Sequence, residues 1–331
     1  MKLAVIGGGS WGTALAIALA PRARQIKLWV REPELADRMQ RSRENDVFLP
    51  GFQVPDAVEI TRDLTEAVGG SEIVLSVIPS RYVRSMYTQM LPALDPGMAL
   101  VSATKGLEQG TLLRMSEVIT HVTESRFSPR LAVLSGPTFA REIAKGDPAA
   151  VVISSTEKQV ALEVQQKFSG PKLRFYANFD PVSVELGAAL KNVIAIGAGI
   201  CTGLGLGSNT LAALITRGLA EMTRLAEAMG GDPRTMAGLA GLGDLVLTCN
   251  GALSRNRTVG LELAKGRSVK EITDSMRMVA EGVFTCGAAV ELGERCGVEL
   301  PIIQEMQGVL EGETTPAEAV ENLMTRSLKI E

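Results

Sequence analysis

The stretch ELGAALKNVIAIGAG, residues 185–199, holds a lysine among alanines, glycines and branched aliphatics, with Asn192 beside it. An ammonium in such surroundings is costly without a partner or a task. If the stretch is helical, Gly187, Ala188, Lys191, Ala195 and Ala198 share one face at helical spacing. Small neighbours around one amine would leave room for a flat ring and a short substrate. Partial burial would lower the amine's pKa and suit it to general acid–base work. The competing reading is a lysine that snorkels out of a domain interface.

Two other clusters carry chemistry. In AGLGDLVLTCNGALSRNRTVG, residues 240–260, Asp244 follows a glycine-rich turn, and Arg255, Asn256 and Arg257 follow Ser254. Arginine's planar fork suits phosphate oxygens, although a capped helix with solvated arginines fits the same residues. In SATKGLEQGT, residues 102–111, Lys105 follows the carboxyl end of an expected strand. Open α/β sheets bind ligands on that side; a plain surface lysine is the alternative. The only histidine, His121, lies in SEVITHVTES and reads as a solvated structural residue. The four cysteines form no C-x-x-C pair, so no zinc set is expected. Unpatterned cysteines suit a reducing cytoplasm.

A third motif supplies a ligand for this chemistry. KLAVIGGGSWGTALAIALA sets Gly7, Gly9 and Gly12 in a G-x-G-x-x-G pattern between an expected strand and an expected helix. The three glycines would permit the tight turn, the approach of a pyrophosphate and close helix–strand packing, in that order. The helix amino end adds free N–H groups and a partial positive charge. The second strand ends in Arg31 followed by Glu32. An arginine there can pair with a 2′-phosphate, so the pattern leans toward NADP(H) and leaves NAD(H) open.

The elements that must position these residues follow from the hydrophobic pattern. Short apolar runs at 2–6, 26–30, 73–78, 99–103 and 131–135 read as buried strands, and 149–154 and 173–177 continue the sheet. Helical stretches at 11–20, 34–43, 80–91, 111–122 and 157–168 lie between several of them. Buried strands alternating with helices predict a parallel sheet covered on both faces, wound right-handed. From about residue 181 the strand-like runs give way to helical patterns. The expected fold is α/β: a Rossmann-like doubly wound domain over 1–180 and an all-helical substrate-binding domain over 181–331. A chain of 331 residues suits two such units.

With 34 basic and 37 acidic residues the net charge of -3 offers no global attraction for nucleic acid or acidic membranes. The first residues faintly resemble a signal peptide, but GGGSWG interrupts the apolar run. Residues 193–206 are too short and glycine-rich to span a bilayer. A soluble protein without membrane insertion is expected.

These clusters, in this order, resemble the NAD(P)-dependent glycerol-3-phosphate dehydrogenases of the bacterial biosynthetic type. The resemblance runs over essentially the whole chain, through GGGSWGTALA, FLPG, SATKGLE, MSEVI, LSGPTFARE, ELGAALKNVIAIGAG, AALITRGLAEM, GLGDLVLTC, SRNRTVG and VAEGVFT. It implies a cytoplasmic homodimer that reduces dihydroxyacetone phosphate to sn-glycerol 3-phosphate for phospholipid synthesis. Lys191 would be the proton donor, with Lys105 and Asp244 holding the substrate and tuning that lysine. Arg255 and Asn256 would bind the substrate phosphate, with Ser254 beside them, and Gly136 and Thr138 would line the substrate site. Ser10, Trp11, Arg31, Phe48, Val279 and Glu281 match cofactor-side positions; Ala140, Lys105 and Arg255 also reach the cofactor. Thr202 stands where the family commonly has aspartate, and Leu211 where it has lysine or arginine. A polar interaction near the active-site helix would then be lost or replaced.

Two other functions are compatible with a glycine loop. A β-hydroxyacid dehydrogenase or ketopantoate-reductase-like enzyme would also use a lysine, but on a carboxylate substrate; SRNR with Lys105 favours a phosphate. A non-catalytic NADP-binding redox sensor would need no proton donor, against which Lys191 and Asp244 argue.

Overall fold

The computed structural model describes residues 1–276 and 278–328. The first half runs β1 (Lys2–Ile6), α1 (Ser10–Leu19), β2 (Gln25–Trp29), α2 (Pro33–Ser42), β3 (Glu44–Asn45), β4 (Leu49–Gln53), β5 (Val58–Thr61), α3 (Leu64–Val68), β6 (Ile73–Ser76) and α4 (Val83–Met90). It continues through β7 (Ala99–Ser102), α5 (Met115–Thr123), β8 (Arg130–Ser135), α6 (Ala140–Lys145), β9 (Ala149–Ser154), α7 (Lys158–Phe168) and β10 (Leu173–Asn178). The central sheet has eight strands in the order β10-β9-β8-β7-β6-β1-β2-β5. Its middle strands are buried throughout because both faces are covered. Alternate residues of β1 serve the two faces: Leu3 and Val5 join one core layer, Ala4 and Ile6 the other.

Three details depart from the pattern-based expectation. The sheet is not wholly parallel, because β9 runs antiparallel to β8. The short connection between them folds into α6, which packs on α1 at the same end of the sheet, so the chain never returns to start a parallel strand. Strand β5, reading VEIT, and the small β3–β4 pair add to the expected strands. Helix α5 starts at Met115, later than expected, because residues 103–114 form a braced loop.

After β10 every described element is a helix: α8 (Pro181–Gly203), α9 (Ser208–Ala228), α10 (Pro233–Met236), α11 (Asp244–Asn250), α12 (Arg255–Ala264), α13 (Val269–Ser275), α14 (Glu281–Cys296), α15 (Pro301–Glu311) and α16 (Pro316–Thr325). A π-helical turn over Leu239–Gly243 leads into α11. Asp180 starts α8: one carboxylate oxygen accepts from Ser183 N at 3.0 Å, the other from Asp232 N at 2.9 Å. Pro181 follows at the first helical position. By length and composition α8 could cross a membrane, being longer than the apolar stretch read at 193–206, but its apolar window lies wholly inside the fold. Helices α9, α11, α12, α14 and α15 surround it.

Helices α8 and α12 approach until backbones touch. A methyl group added at Gly260 would stand 1.9 Å from the Ile196 carbonyl oxygen, and one at Gly199 would stand 2.0 Å from that of Arg257. Gly287 of α14 faces open space, with nothing within 4 Å of an added methyl group. Gly260→Ala is therefore expected to lower the unfolding free energy by about 1–3 kcal/mol. Gly287→Ala should raise it by about 0.5–1 kcal/mol through helix propensity. Urea unfolding of the two variants measures this opposition of sign.

Candidate active site

The site is built where the carboxyl ends of β6, β7 and β8 meet α8, α11, α12 and α14. Lys191 lies on α8 at 4 % exposure, and Asp244, the first residue of α11, at 0 %. The Lys191 ammonium donates to Asp244 Oδ1 and, at 2.8 Å, to Thr248 Oγ1. Lys105, from the loop after β7, donates to the other carboxylate oxygen, Asp244 Oδ2, at 2.7 Å. Ser135 at the end of β8 approaches the same oxygen at 3.5 Å. One buried carboxylate therefore joins two lysines from the two halves of the chain.

Burial is the largest influence on Lys191 and pushes its pKa down to about 7. Asp244 opposes that shift and the Lys105 charge adds to it. The spacing argument for small residues on the Lys191 face is corrected at Gly187. A methyl group there would meet the Ala240 carbonyl oxygen at 2.8 Å, so protein backbone fills the room expected for a ligand ring.

A polar chain continues from Lys191 to the second cluster. Asn192 Oδ1 accepts from Asn256 Nδ2 at 2.9 Å, and Asn256 Oδ1 accepts from Gly282 N at 2.9 Å. Asn256 thus locks the amino end of α12 to α8 and α14. Next to it Arg255 is exposed and donates to the Val279 carbonyl at 2.7 Å. The buried Ser254 hydroxyl caps α12, accepting from Arg257 N at 3.3 Å. Glu281, first residue of α14, accepts from Ser80 Oγ at 2.8 Å and bridges to the segment after β6. Burial raises its carboxyl pKa.

The glycine loop fits a dinucleotide at three points. Gly7 has φ of +126°, and an added methyl group would stand 2.3 Å from the Val77 carbonyl oxygen. At Gly12 it would stand 1.9 Å from the Gly7 carbonyl oxygen, whereas Gly9 at the α1 N-cap opens onto free space. That free space, before Ser10 and the unbonded N–H groups of α1, is where a pyrophosphate would approach. The Trp11 indole nitrogen is buried without a partner, an orphan donor beside the same loop. Asn45 clamps the loop from β3, donating to Gly8 O and Thr13 Oγ1 at 2.8 Å each, while its own carbonyl accepts from Phe48 N at 3.0 Å. Arg31 is exposed and engaged by Glu32 at 2.7 Å, with its guanidinium 5.7 Å from the Tyr82 ring.

Gly136 takes a φ of +145°, and Thr138 donates to its carbonyl at 3.3 Å. Ala140 begins α6 and packs, with Trp11 and Phe48, against the first-half core. Thr202 receives Arg257 Nη2 at 3.4 Å, and Leu211 packs on the helical core, so a weak hydrogen bond and an apolar contact occupy the two atypical positions. His121 sits exposed in the last turn of α5. The four cysteines are free. Among the described residues no group of histidine, cysteine and carboxylate side chains could hold a metal ion. Thr248 and Asn45 escaped the sequence reading, and Asn192 figures there only as the neighbour of Lys191. Thr248 follows Asp244 by one helical turn, a spacing that could have flagged it; nothing local marks Asn45.

The chain is similar to proteins of one family over nearly its whole length. The family description "NAD-dependent glycerol-3-phosphate dehydrogenase" matches through its N-terminal part at residues 2–161 and its C-terminal part at residues 180–321. A glycerol-3-phosphate dehydrogenase (NAD(P)+) of Koribacter versatilis is 57 % identical over 327 residues, covering 98 % of this chain and 97 % of that protein. The crystal structure of the glycerol-3-phosphate dehydrogenase of Coxiella burnetii superposes with a TM-score of 0.92 at 37 % identity, covering 98 % of each chain. A ketopantoate reductase of Ralstonia eutropha, at 16 % identity, TM-score 0.59 and coverage of 97 % and 100 %, shares the fold alone. With its glycine loop, its paired lysines and its full-length matches, the chain belongs to the NAD-dependent glycerol-3-phosphate dehydrogenase family.

Proposed function

We propose that the protein reversibly reduces dihydroxyacetone phosphate to sn-glycerol 3-phosphate with NAD(P)H, with Lys191 as general acid. The supporting observation is the buried Asp244 carboxylate shared between Lys191 and Lys105. Bound NAD(P)H supplies the hydride that goes to the ketone carbon. Two of the three Lys191 N–H groups are taken by Asp244 and Thr248, leaving one for the substrate oxygen. Lys191 gives its proton to that oxygen as negative charge develops, and in the reverse direction takes it back. Lys105 holds Asp244 from the far side and faces the incoming substrate. Arg255, exposed at the amino end of α12, and Asn256 receive the phosphate, where the helix end adds favourable partial charge. Glycines 7, 9 and 12 with Ser10, Trp11, Arg31 and Phe48 hold the nucleotide, and Ala140, Val279 and Glu281 complete its edge. Arg31 supports use of NADP(H), and its engagement by Glu32 leaves NAD(H) a substrate as well. The reading includes a cytoplasmic homodimer feeding glycerophospholipid synthesis, as the family resemblance implies. Loss of nicotinamide absorbance with dihydroxyacetone phosphate, using NADPH and then NADH, tests it. No turnover with either from folded protein would overturn it.

Lys191→Met should keep NADPH binding and lose about 10²–10⁴ in kcat; titration of cofactor fluorescence beside steady-state kinetics measures both. Arg255→Ala should act mainly on substrate KM, by about 2–5 kcal/mol if the phosphate pair is desolvated. A KM unchanged by that substitution would move the phosphate elsewhere. The lowered Lys191 pKa sets the pH dependence. Ketone reduction needs the ammonium, so it should fall as pH rises through about 7. Alcohol oxidation needs the neutral amine and should rise over the same interval. Opposed pH profiles in the two directions are the expected result.

A further inference from the structure

The loop over residues 103–114 carries Lys105 at one end and Arg114 at the other. It is braced internally, where Leu107 bridges Arg114 and Glu108 N donates to Leu113 O at 2.9 Å, and from α4, where Arg84 pairs with Glu108 at 2.7 Å. Leu112 sits in the left-handed region at φ 62°, a conformation costly for a leucine and held only where surroundings over-determine it. Those surroundings belong to the other half of the molecule. Leu107 and Leu112 are buried in the helical core with Leu186, Leu190 and Val193 of α8.

Arg114 anchors the far end by charge. Its Nη1 donates to Glu185 Oε2 at 2.7 Å, and Glu185 lies on α8 at 6 % exposure, less than two turns before Lys191. The same carboxylate accepts from Ser116 N at 2.8 Å and Ser116 Oγ at 2.5 Å, at the amino end of α5. Arg114 is also held by Glu117 at 2.8 Å. Buried ion pairs seldom add net stability over an apolar pair of the same shape, so position is the better account of this one. Helix α8 therefore meets the loop at two buried carboxylates: Asp244, reached through Lys191 and Lys105, and its own Glu185.

We propose that Glu185 and Arg114 are positioning residues, whose ion pair fixes the 103–114 loop on α8 and so holds Lys105 on Asp244 in the register that proton transfer to substrate needs. The inference rests on the proposed reduction of dihydroxyacetone phosphate. Neither residue touches substrate or cofactor, so both act through Lys105. Small misplacement of a reacting group can cost up to about a hundredfold in rate.

Steady-state kinetics of NADPH oxidation by the wild-type protein and its variants tests this. Glu185→Ala and Arg114→Met should each lower kcat about ten- to a hundredfold, with KM for NADPH within about twofold, because the glycine loop lies elsewhere. Glu185→Gln keeps a carbonyl for Ser116 and Arg114 and should recover most of the loss. Combined with Lys105→Met, Glu185→Ala should cost nothing further, since the group it positions is gone. Wild-type kcat in folded Glu185→Ala, or a full multiplicative loss on the Lys105→Met background, overturns the proposal. If Glu185→Ala does not fold, the apolar pair Arg114→Met with Glu185→Leu takes its place and is read the same way. Wild-type protein without turnover would sink the functional reading; active wild-type with indifferent variants would sink this inference alone.

Discussion

A carboxylate with no access to water must be compensated by its neighbours, and Asp244 is compensated by two lysines. Uncompensated, such a charge costs several kcal/mol or more. That demand forces three segments far apart in sequence to one point: α8, α11 and the loop after β7. The arrangement also sets the charge of the cluster. Two ammonium groups around one carboxylate leave a net positive charge in a dry place, and Lys191 is the more deeply buried of the two. Its proton is correspondingly easier to give away, while Lys105 keeps some contact with solvent.

Helix α8 is the axis on which this depends. It is buried on every side over nearly its whole length, which explains both its membrane-like composition and its lack of an amphipathic stripe. Glycines at its crossing with α12 bring the two backbones together, and that closeness lets Asn192 reach Asn256. The amino end of α12 is thus set relative to Lys191 by backbone contact, with little slack. Small residues along α8 serve packing as much as access, as the filled space over Gly187 shows.

The nucleotide side is organised separately, by the reversal of strand order between β1 and β6. There the glycine loop leaves the sheet, and ligands of open α/β sheets bind at such points. Asn45 clamps that loop, and Glu281 with Ser80 ties the helical half to the segment after β6. The Lys191–Asp244–Lys105 cluster and the glycine loop are thus held by separate sets of contacts.

The sequence by itself determined what is local or periodic. Continuous apolar runs specified the buried strands, and Gly7 and Gly12 specified a turn that only a small residue can make. Lys191 announced itself because a charge among alanines must be explained. The order of motifs then identified the family. What only the tertiary structure decided depends on contacts between distant segments. The antiparallel β9 follows from where α6 packs, and the pairing of both lysines with one aspartate from the convergence of three segments. Ser254's capping role, the Asn192–Asn256 bond and the Glu185–Arg114 pair are likewise invisible in spacing. A hydrogen bond between residues dozens of positions apart leaves no periodic trace, and a side chain's partner is settled only once packing has fixed which surfaces meet.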